Sequence, residues 1–240
     1  MRRTALGLVT AGSIASFAVA ACMPAPVTEQ AVVVRDLWAQ FLIAAAIVGG
    51  LVWILITVAV IRYRRRRGEA DVLPRQSRGS TRLEIIWTAG PILTVLVLFW
   101  LTLGAMSRID ARAPGGVTVD VTAYRWQWRF DYPQQGVTVQ GGPAAPAEMV
   151  VPVGEPIHIV LASADVAHAF YVPQFLFKRD AIPGRVTEFD VTITEPGGYG
   201  GQCAEFCGIF HDRMLLTVRA VDRSAFDAWV AGQPKGSAAP

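Results

Sequence analysis

Residues 201–214, Gly-Gln-Cys-Ala-Glu-Phe-Cys-Gly-Ile-Phe-His-Asp-Arg-Met, bring Cys203, Glu205, Cys207, His211 and Met214 into one short stretch. Two thiolates, an imidazole and a thioether form a donor set for a soft, redox-active metal, and copper suits it best. A Cys-x-x-x-Cys pair alone could close a disulfide in an oxidising compartment. A disulfide, however, has no use for His and Met at short fixed offsets. His168 supplies a second imidazole. It follows the alternating run Ile157-His158-Ile159-Val160-Leu161, a predicted strand, and so stands at a strand end or in the loop beyond, where a rigid scaffold can hold a ligand. His158 alternates onto the opposite face from Ile157 and Ile159 and reads as a solvent-facing strand residue.

These donors exceed the needs of a mononuclear blue-copper site, which takes two His, one Cys and a weak axial ligand. The extra thiolate allows two coppers to share both sulfurs, with one His on each. Met214 and a backbone carbonyl, that of Glu205, would fill the weak positions. Such a centre spreads one electron over two metals, which suits relay rather than bond chemistry.

The elements that must position these residues begin in a membrane. The chain has 240 residues, 52% of them hydrophobic, more apolar than an ordinary soluble domain. Residues 1–21 read as a signal peptide. The small residues before Cys22 suit lipoprotein processing, with Cys22 as a lipid-modified N-terminus. An ordinary signal peptide with an incidental Cys, or an uncleaved helix, is the alternative. A short segment over 22–36 precedes two apolar stretches, 37–61 and 85–106, each long enough to cross a ~30 Å hydrocarbon core as an α-helix. The connection, 62–84, carries Arg62, Arg64, Arg65, Arg66, Arg67, Arg75, Arg78 and Arg82. The positive-inside tendency places that loop in the cytoplasm and both flanking segments on the periplasmic side of a bacterial inner membrane. The formal charge of +3 is thereby assigned to topology and anionic lipid, and nucleic acid is not expected as a partner.

From Ser107 the pattern changes to short alternating runs broken by Gly and Pro. Val117–Thr122, Pro156–Leu161, Val186–Thr194 and Leu215–Val221 are predicted strands. The fold class expected is thus a membrane-anchored all-β protein: a two-helix transmembrane hairpin followed by a cupredoxin-like Greek-key β-sandwich over 107–231. A short helix is expected at Ser224–Val230, with Phe226 and Trp229 on one face, and 232–240 reads as a flexible tail. In the run from Tyr124 to Pro133, strict alternation would put Tyr124, Trp126, Trp128, Phe130 and Tyr132 on one face.

Residues 196–214, from Pro196 through Met214, closely resemble the binuclear copper A loop of cytochrome c oxidase subunit II. The segments Asp165-Val166-x-His168-x-Phe170 and Asp180-Ala181-Ile182-Pro183-Gly184-Arg185 look like other segments of that family. The resemblance runs from the first span to about Asp222. It implies ligation by His168, Cys203, Cys207, His211 and Met214 side chains and by the Glu205 carbonyl. The Glu205 carboxylate would also touch a Mg²⁺ at the boundary with subunit I. Trp126 would accept electrons from a docked cytochrome c, with Trp128 structural. The centre would pass them to haem in subunit I, where oxygen is reduced to water with proton pumping. This chain alone would reduce no oxygen, and subunit III would complete the assembly. Glu84 has two readings: a solvated first-turn carboxylate favoured by the helix dipole, or, as the resemblance implies, the cytoplasmic mouth of a proton pathway into subunit I.

Gln127 stands between the tryptophans where an aromatic is common in the family, and Arg125 and Arg129 flank them. Those arginines weaken the expectation of a basic cytochrome steered by an acidic patch. Rival readings are a quinol oxidase subunit II, which needs no such ligand set, a membrane-anchored copper chaperone, and a copper A component of a nitric oxide or nitrous oxide reductase.

Overall fold

The computed structural model describes residues 23–64, 76, 79–142 and 145–234. The signal-peptide and Cys22 expectations lie outside the described residues. The chain forms two compact units, one being Asp36–Met106 and the other joining the segment up to Arg35 to the chain from Ser107 onward.

Two long helices, α1 (Glu29–Arg62) and α2 (Thr81–Ile109), cover both apolar stretches. Each is long and apolar enough to cross a membrane. Their apolar side chains are largely exposed, among them Trp53, Ile61, Trp87 and Trp100, and a lipid surrounding accepts such a surface because every backbone group is satisfied within the helix. Both helices extend past the apolar stretches. Hydropathy marks residues suited to lipid, whereas a helix ends where its backbone finds a cap. At α1 the cap is Thr28, whose Oγ1 accepts the Ala31 N–H at 2.9 Å, an N-cap contact.

The second unit is a two-sheet sandwich. Its strands are β1 (Val117–Tyr124), β2 (Gln127–Tyr132), β3 (Val137–Gln140), β4 (Ala147–Pro152), β5 (Pro156–Ser163), β6 (His168–Tyr171), β7 (Lys178–Ala181), β8 (Thr187–Thr192), β9 (Gly197–Cys203) and β10 (Leu215–Val221). One sheet has the order β3-β2-β1-β5-β8, the other β4-β10-β9-β6-β7. The pairs β1–β5 and β4–β10 are parallel, so both sheets are mixed. Alternation places Val117, Val119 and Val121 of β1 and Ile157, Ile159 and Leu161 of β5 inside. Helix α3 (Arg223–Gly232) closes one end by burying Phe226, and its Trp229 ring lies 5.3 Å from Tyr132.

The aromatic run divides differently from strict alternation. Trp128, Phe130 and Tyr132 are buried on the inner face of β2. Tyr124 ends β1 in its outward phase, and Trp126 lies in the turn between the strands. Alternation holds only within one strand, and the turn interrupts the count. Phe130→Ala should destabilise the unit by about 3–5 kcal/mol, the usual cost of emptying a buried aromatic site. A fall in Tm, followed by near-UV circular dichroism, measures it.

The segment before the first span is woven into the sandwich. Thr28 bridges Ile193, the Thr194 N–H donates to the Val27 carbonyl at 2.9 Å, and the Thr192 N–H donates to Gln30 Oε1 at 3.1 Å. Val27 and Ala31 are buried there.

Candidate metal centre

Strand pairing brings the donors together. β6 and β9 pair with Phe170 opposite Cys203, and β9 and β10 pair with Gln202 opposite Leu215. His168 at the start of β6, Cys203 at the end of β9 and Met214 just before β10 therefore meet at one end of the second sheet. The Cys203 N–H donates to the Met214 carbonyl at 2.9 Å, and the Ala204 N–H donates to the Ala169 carbonyl at 3.0 Å. Between them the chain makes a loop that folds back through a 3-10 turn at His211–Arg213. Strand β9 can pack this closely because it is glycine-rich. A Cβ on Gly201 would lie 2.9 Å from both the Leu216 side chain and the Tyr171 carbonyl.

Cys203 Sγ lies 3.9 Å from Cys207 Sγ and 3.8 Å from His168 Nδ1. Cys207 Sγ lies 3.5 Å from His211 Nδ1 and 3.8 Å from Met214 Sδ. The Glu205 carbonyl oxygen is 3.2 Å from Cys203 Sγ. Both thiols are free, and their separation is nearly twice the roughly 2.0 Å of a disulfide bond. A first-row ion that holds thiolate at about 2.3 Å and imidazole at about 2.0 Å keeps its donors roughly 3.5–4 Å apart. The donor atoms of His168, Cys203 and Cys207 all lie within 4.8 Å of one another, and all three residues are buried. Spacing and donor softness fit copper.

Local electrostatics leave this pair short of a cation. Burial opposes ionisation of Cys203, but hydrogen bonds with His168 and with the Glu205 and Ala169 backbone outweigh it and bring the thiol down to about 7. Burial pushes the Cys207 thiol up, and the neighbouring Cys203 thiolate pushes it further. Ionising one thiol thus opposes ionisation of the other, and a bound cation would relieve that opposition.

Asp165 orients the buried imidazole. Its Oδ1 lies 2.8 Å from His168 Nε2, which leaves Nδ1 facing Cys203. Partial burial works against its ionisation, yet the bonds from His168 and from the Arg125 and Val166 N–H groups prevail and hold its carboxyl well below the usual range. A carboxylate behind an imidazole fixes both tautomer and direction. Trp128 closes the site from the core, its Nε1–H donating to the Met214 carbonyl at 3.4 Å.

Trp126 lies on the outer side of the loop, its Nε1–H donating to the Cys207 carbonyl at 3.3 Å. Gly208 makes that approach possible. It has φ +120°, and a Cβ there would meet the indole at 3.3 Å. Phe210 stands edge-on to Trp126, with ring centroids 5.0 Å apart. Phe206, Ile209 and Phe210 are exposed on the same loop. Sequence reading passed over these three because it weighed the loop only for ligands; large apolar residues between metal donors were the available signal.

The remaining candidates stand apart. The Glu205 carboxylate pairs with Lys178 at 3.5 Å. Glu84 sits exposed in the first turn of α2 with its carboxylate over Gly79. His158 does alternate away from the core, but it is half-buried: its Nδ1 is 2.6 Å from the buried Asp190, beside Arg112.

A family model described as the periplasmic domain of cytochrome c oxidase subunit II matches residues 144–221, and one for its transmembrane domain matches residues 17–104. Cytochrome c oxidase subunit 2 of Corynebacterium glutamicum is 33% identical over 269 residues, covering 87% of this chain and 74% of that protein. The chain belongs to the cytochrome c oxidase subunit II family. A probable cytochrome c oxidase subunit 2 of Streptomyces avermitilis is 34% identical over 268 residues, covering 92% of this chain and 84% of that one. The periplasmic domain of subunit II from Bradyrhizobium japonicum is a solved structure of 34% identity and TM-score 0.47, covering 51% of this chain and 96% of that one. As a subunit II, the chain is a membrane protein with two transmembrane helices and an extracytoplasmic β domain. It is part of a haem-copper oxidase complex, which implies a subunit I.

Proposed function

We propose that this subunit II accepts electrons from a periplasmic cytochrome c at a binuclear copper A centre and relays them to haem in subunit I, where oxygen is reduced and protons are pumped. The observation that carries this reading is the pairing of each thiol with its own imidazole, Cys203 with His168 and Cys207 with His211, across a 3.9 Å gap between the sulfurs. A mononuclear blue-copper site needs only one of these thiolates, whereas two coppers sharing both sulfurs would give each ion one imidazole.

His168, Cys203, Cys207, His211 and Met214 would hold the metals by side chains and Glu205 by its carbonyl. Bound copper would supply a one-electron store with little rearrangement. The chain supplies everything else. Asp165 aims His168, Trp128 and Met214 keep water from the buried side, and Trp126 offers an indole hydrogen-bonded to the Cys207 carbonyl. The Glu205 carboxylate would face Mg²⁺ near subunit I, and Glu84 would pass protons into that subunit from the cytoplasmic side. Residues 62–84 would face the cytoplasm, with subunit III and anionic lipid as further neighbours.

Copper analysis and electron paramagnetic resonance of the purified complex test the centre. Two coppers per subunit II and an unpaired electron split by both nuclei are expected; one copper coupled to a single nucleus would overturn the reading. Trp126→Phe should keep the copper content and spectrum while electron uptake from cytochrome c slows several-fold. Unchanged uptake would remove Trp126 from the path.

A further inference from the structure

Electron uptake at Trp126 requires an exposed face but not the charge pattern found there. Trp126 and Phe210 floor a groove of about 380 Å³, lined also by Arg125, Gln127, Gly142 and Arg213. Both guanidiniums stand at its rim. The Arg125 side chain is 50% exposed and that of Arg213 77%, and the Arg213 guanidinium lies 5.6 Å from the Phe210 ring centroid.

Their acidic partners are placed unequally. Asp165, paired with Arg125 at 3.1 Å, is largely covered and also bonds His168. Beyond the rim, Arg129 is paired with the largely covered Asp131 at 2.8 Å. Asp212, 4.0 Å from Arg213, is open to solvent like its partner, and among the described residues no carboxylate lines the groove itself. Arg125 and Arg129 therefore present their guanidiniums to solvent with the paired carboxylates set behind them. The groove floor is apolar, and the loop that carries Phe210 also exposes Ile209 (83%) and Phe206 (79%). An exposed apolar patch of this kind marks a contact site, and Trp and Arg are the residues that most often anchor one.

We infer that this groove docks a c-type cytochrome whose haem edge is ringed by carboxylates, the reverse of a lysine-ringed cytochrome. The inference rests on the proposed function and names the surface chemistry of its donor. Arg125 and Arg213 take surface carboxylates while Trp126 and Phe210 cover the apolar rim of the haem crevice. Complementary charge of this sort raises encounter rates and selects partners, and salt screens it over a Debye length of ~8 Å at physiological ionic strength.

Binding, without turnover, gives the test. One small lysine-rich c-type cytochrome, carrying zinc porphyrin in place of haem, is compared with its succinylated form, in which the lysines bear carboxylates. Quenching of porphyrin emission by the intact oxidase complex reports Kd at low and physiological salt. The succinylated form should bind at least about tenfold more tightly at low salt, and the advantage should shrink as salt rises. Arg213→Glu should remove most of that advantage at unchanged copper content. Tighter binding of the lysine-rich form, or equal binding indifferent to salt, would overturn the inference. A complex that prefers the acidic form yet lacks the two-copper signal would sink the proposed relay and leave the docking preference standing.

Discussion

Cys207→Ser should abolish any two-copper signal and weaken copper binding by more than ~100-fold, beyond the 10–100-fold typical of losing a group that merely orients a ligand. Cys207 Sγ lies within 3.9 Å of three other donors, Cys203 Sγ, His211 Nδ1 and Met214 Sδ. A serine hydroxyl is a harder donor and stays protonated, so it would hold a soft ion poorly. Cytochrome-driven oxygen consumption should fall with it, while unfolding of the β domain shifts far less, because the strand contacts that frame the loop remain. Metal titration against a chelator and unfolding of the same sample separate the two effects. Equal losses in both would mean that Cys207 serves the fold rather than the metal. In the unsubstituted protein, loading should release protons and weaken as pH falls through about 7, where Cys203 regains its proton. Loading that is indifferent to pH between 6 and 8 (the range is about one unit either side) would contradict a thiolate-dependent site.

Asp165→Asn should lower copper affinity by about 10–100-fold without deleting a ligand. The carboxylate has two duties. It fixes His168 through Nε2, and it gathers the Arg125 and Val166 N–H groups into the loop that precedes β6. Asparagine keeps an acceptor oxygen for part of this set but loses the charge, so the imidazole becomes a poorer donor and is less firmly aimed. Chelator competition reads the affinity, and nitrogen hyperfine splitting reads the imidazole. A variant with unchanged affinity and spectrum would show that Asp165 braces the loop and does not tune His168.

Much of this was legible in the residues. Cys203, Cys207, His211 and Met214 lie within one turn-rich segment, so their spacing alone limits how far apart their donor atoms can be. His168 was legible by a different route, as the histidine placed beyond an alternating run rather than within it. The details that escaped are those set by pairing between distant strands. Nothing local to Trp126 says that a turn falls at Arg125–Trp126, or that Gly208, far along the chain, leaves space for its indole. His158 was assigned the correct face, but its partner Asp190 comes from β8, and only the β5–β8 register sets the two side by side.

The contacts that tie Val27, Thr28 and Gln30 to residues 192–194, at the end of β8 and just beyond, also order events in time. Gln30 and its partner Thr192 are 162 residues apart. At ~5–20 residues per second, the early segment leaves the ribosome on the order of 10–30 s before its partner exists. During that interval both spans must be inserted and the second must return the chain to the side where the first began. The sandwich is thus sealed by a piece made before the membrane was crossed, and that piece pairs with the C-terminal end of β8 and the two residues beyond it, backbone that would otherwise be open to pairing with another chain. Correct insertion is therefore a precondition for finishing the domain: a nascent chain with its second span on the wrong side cannot bring Thr192 to Gln30.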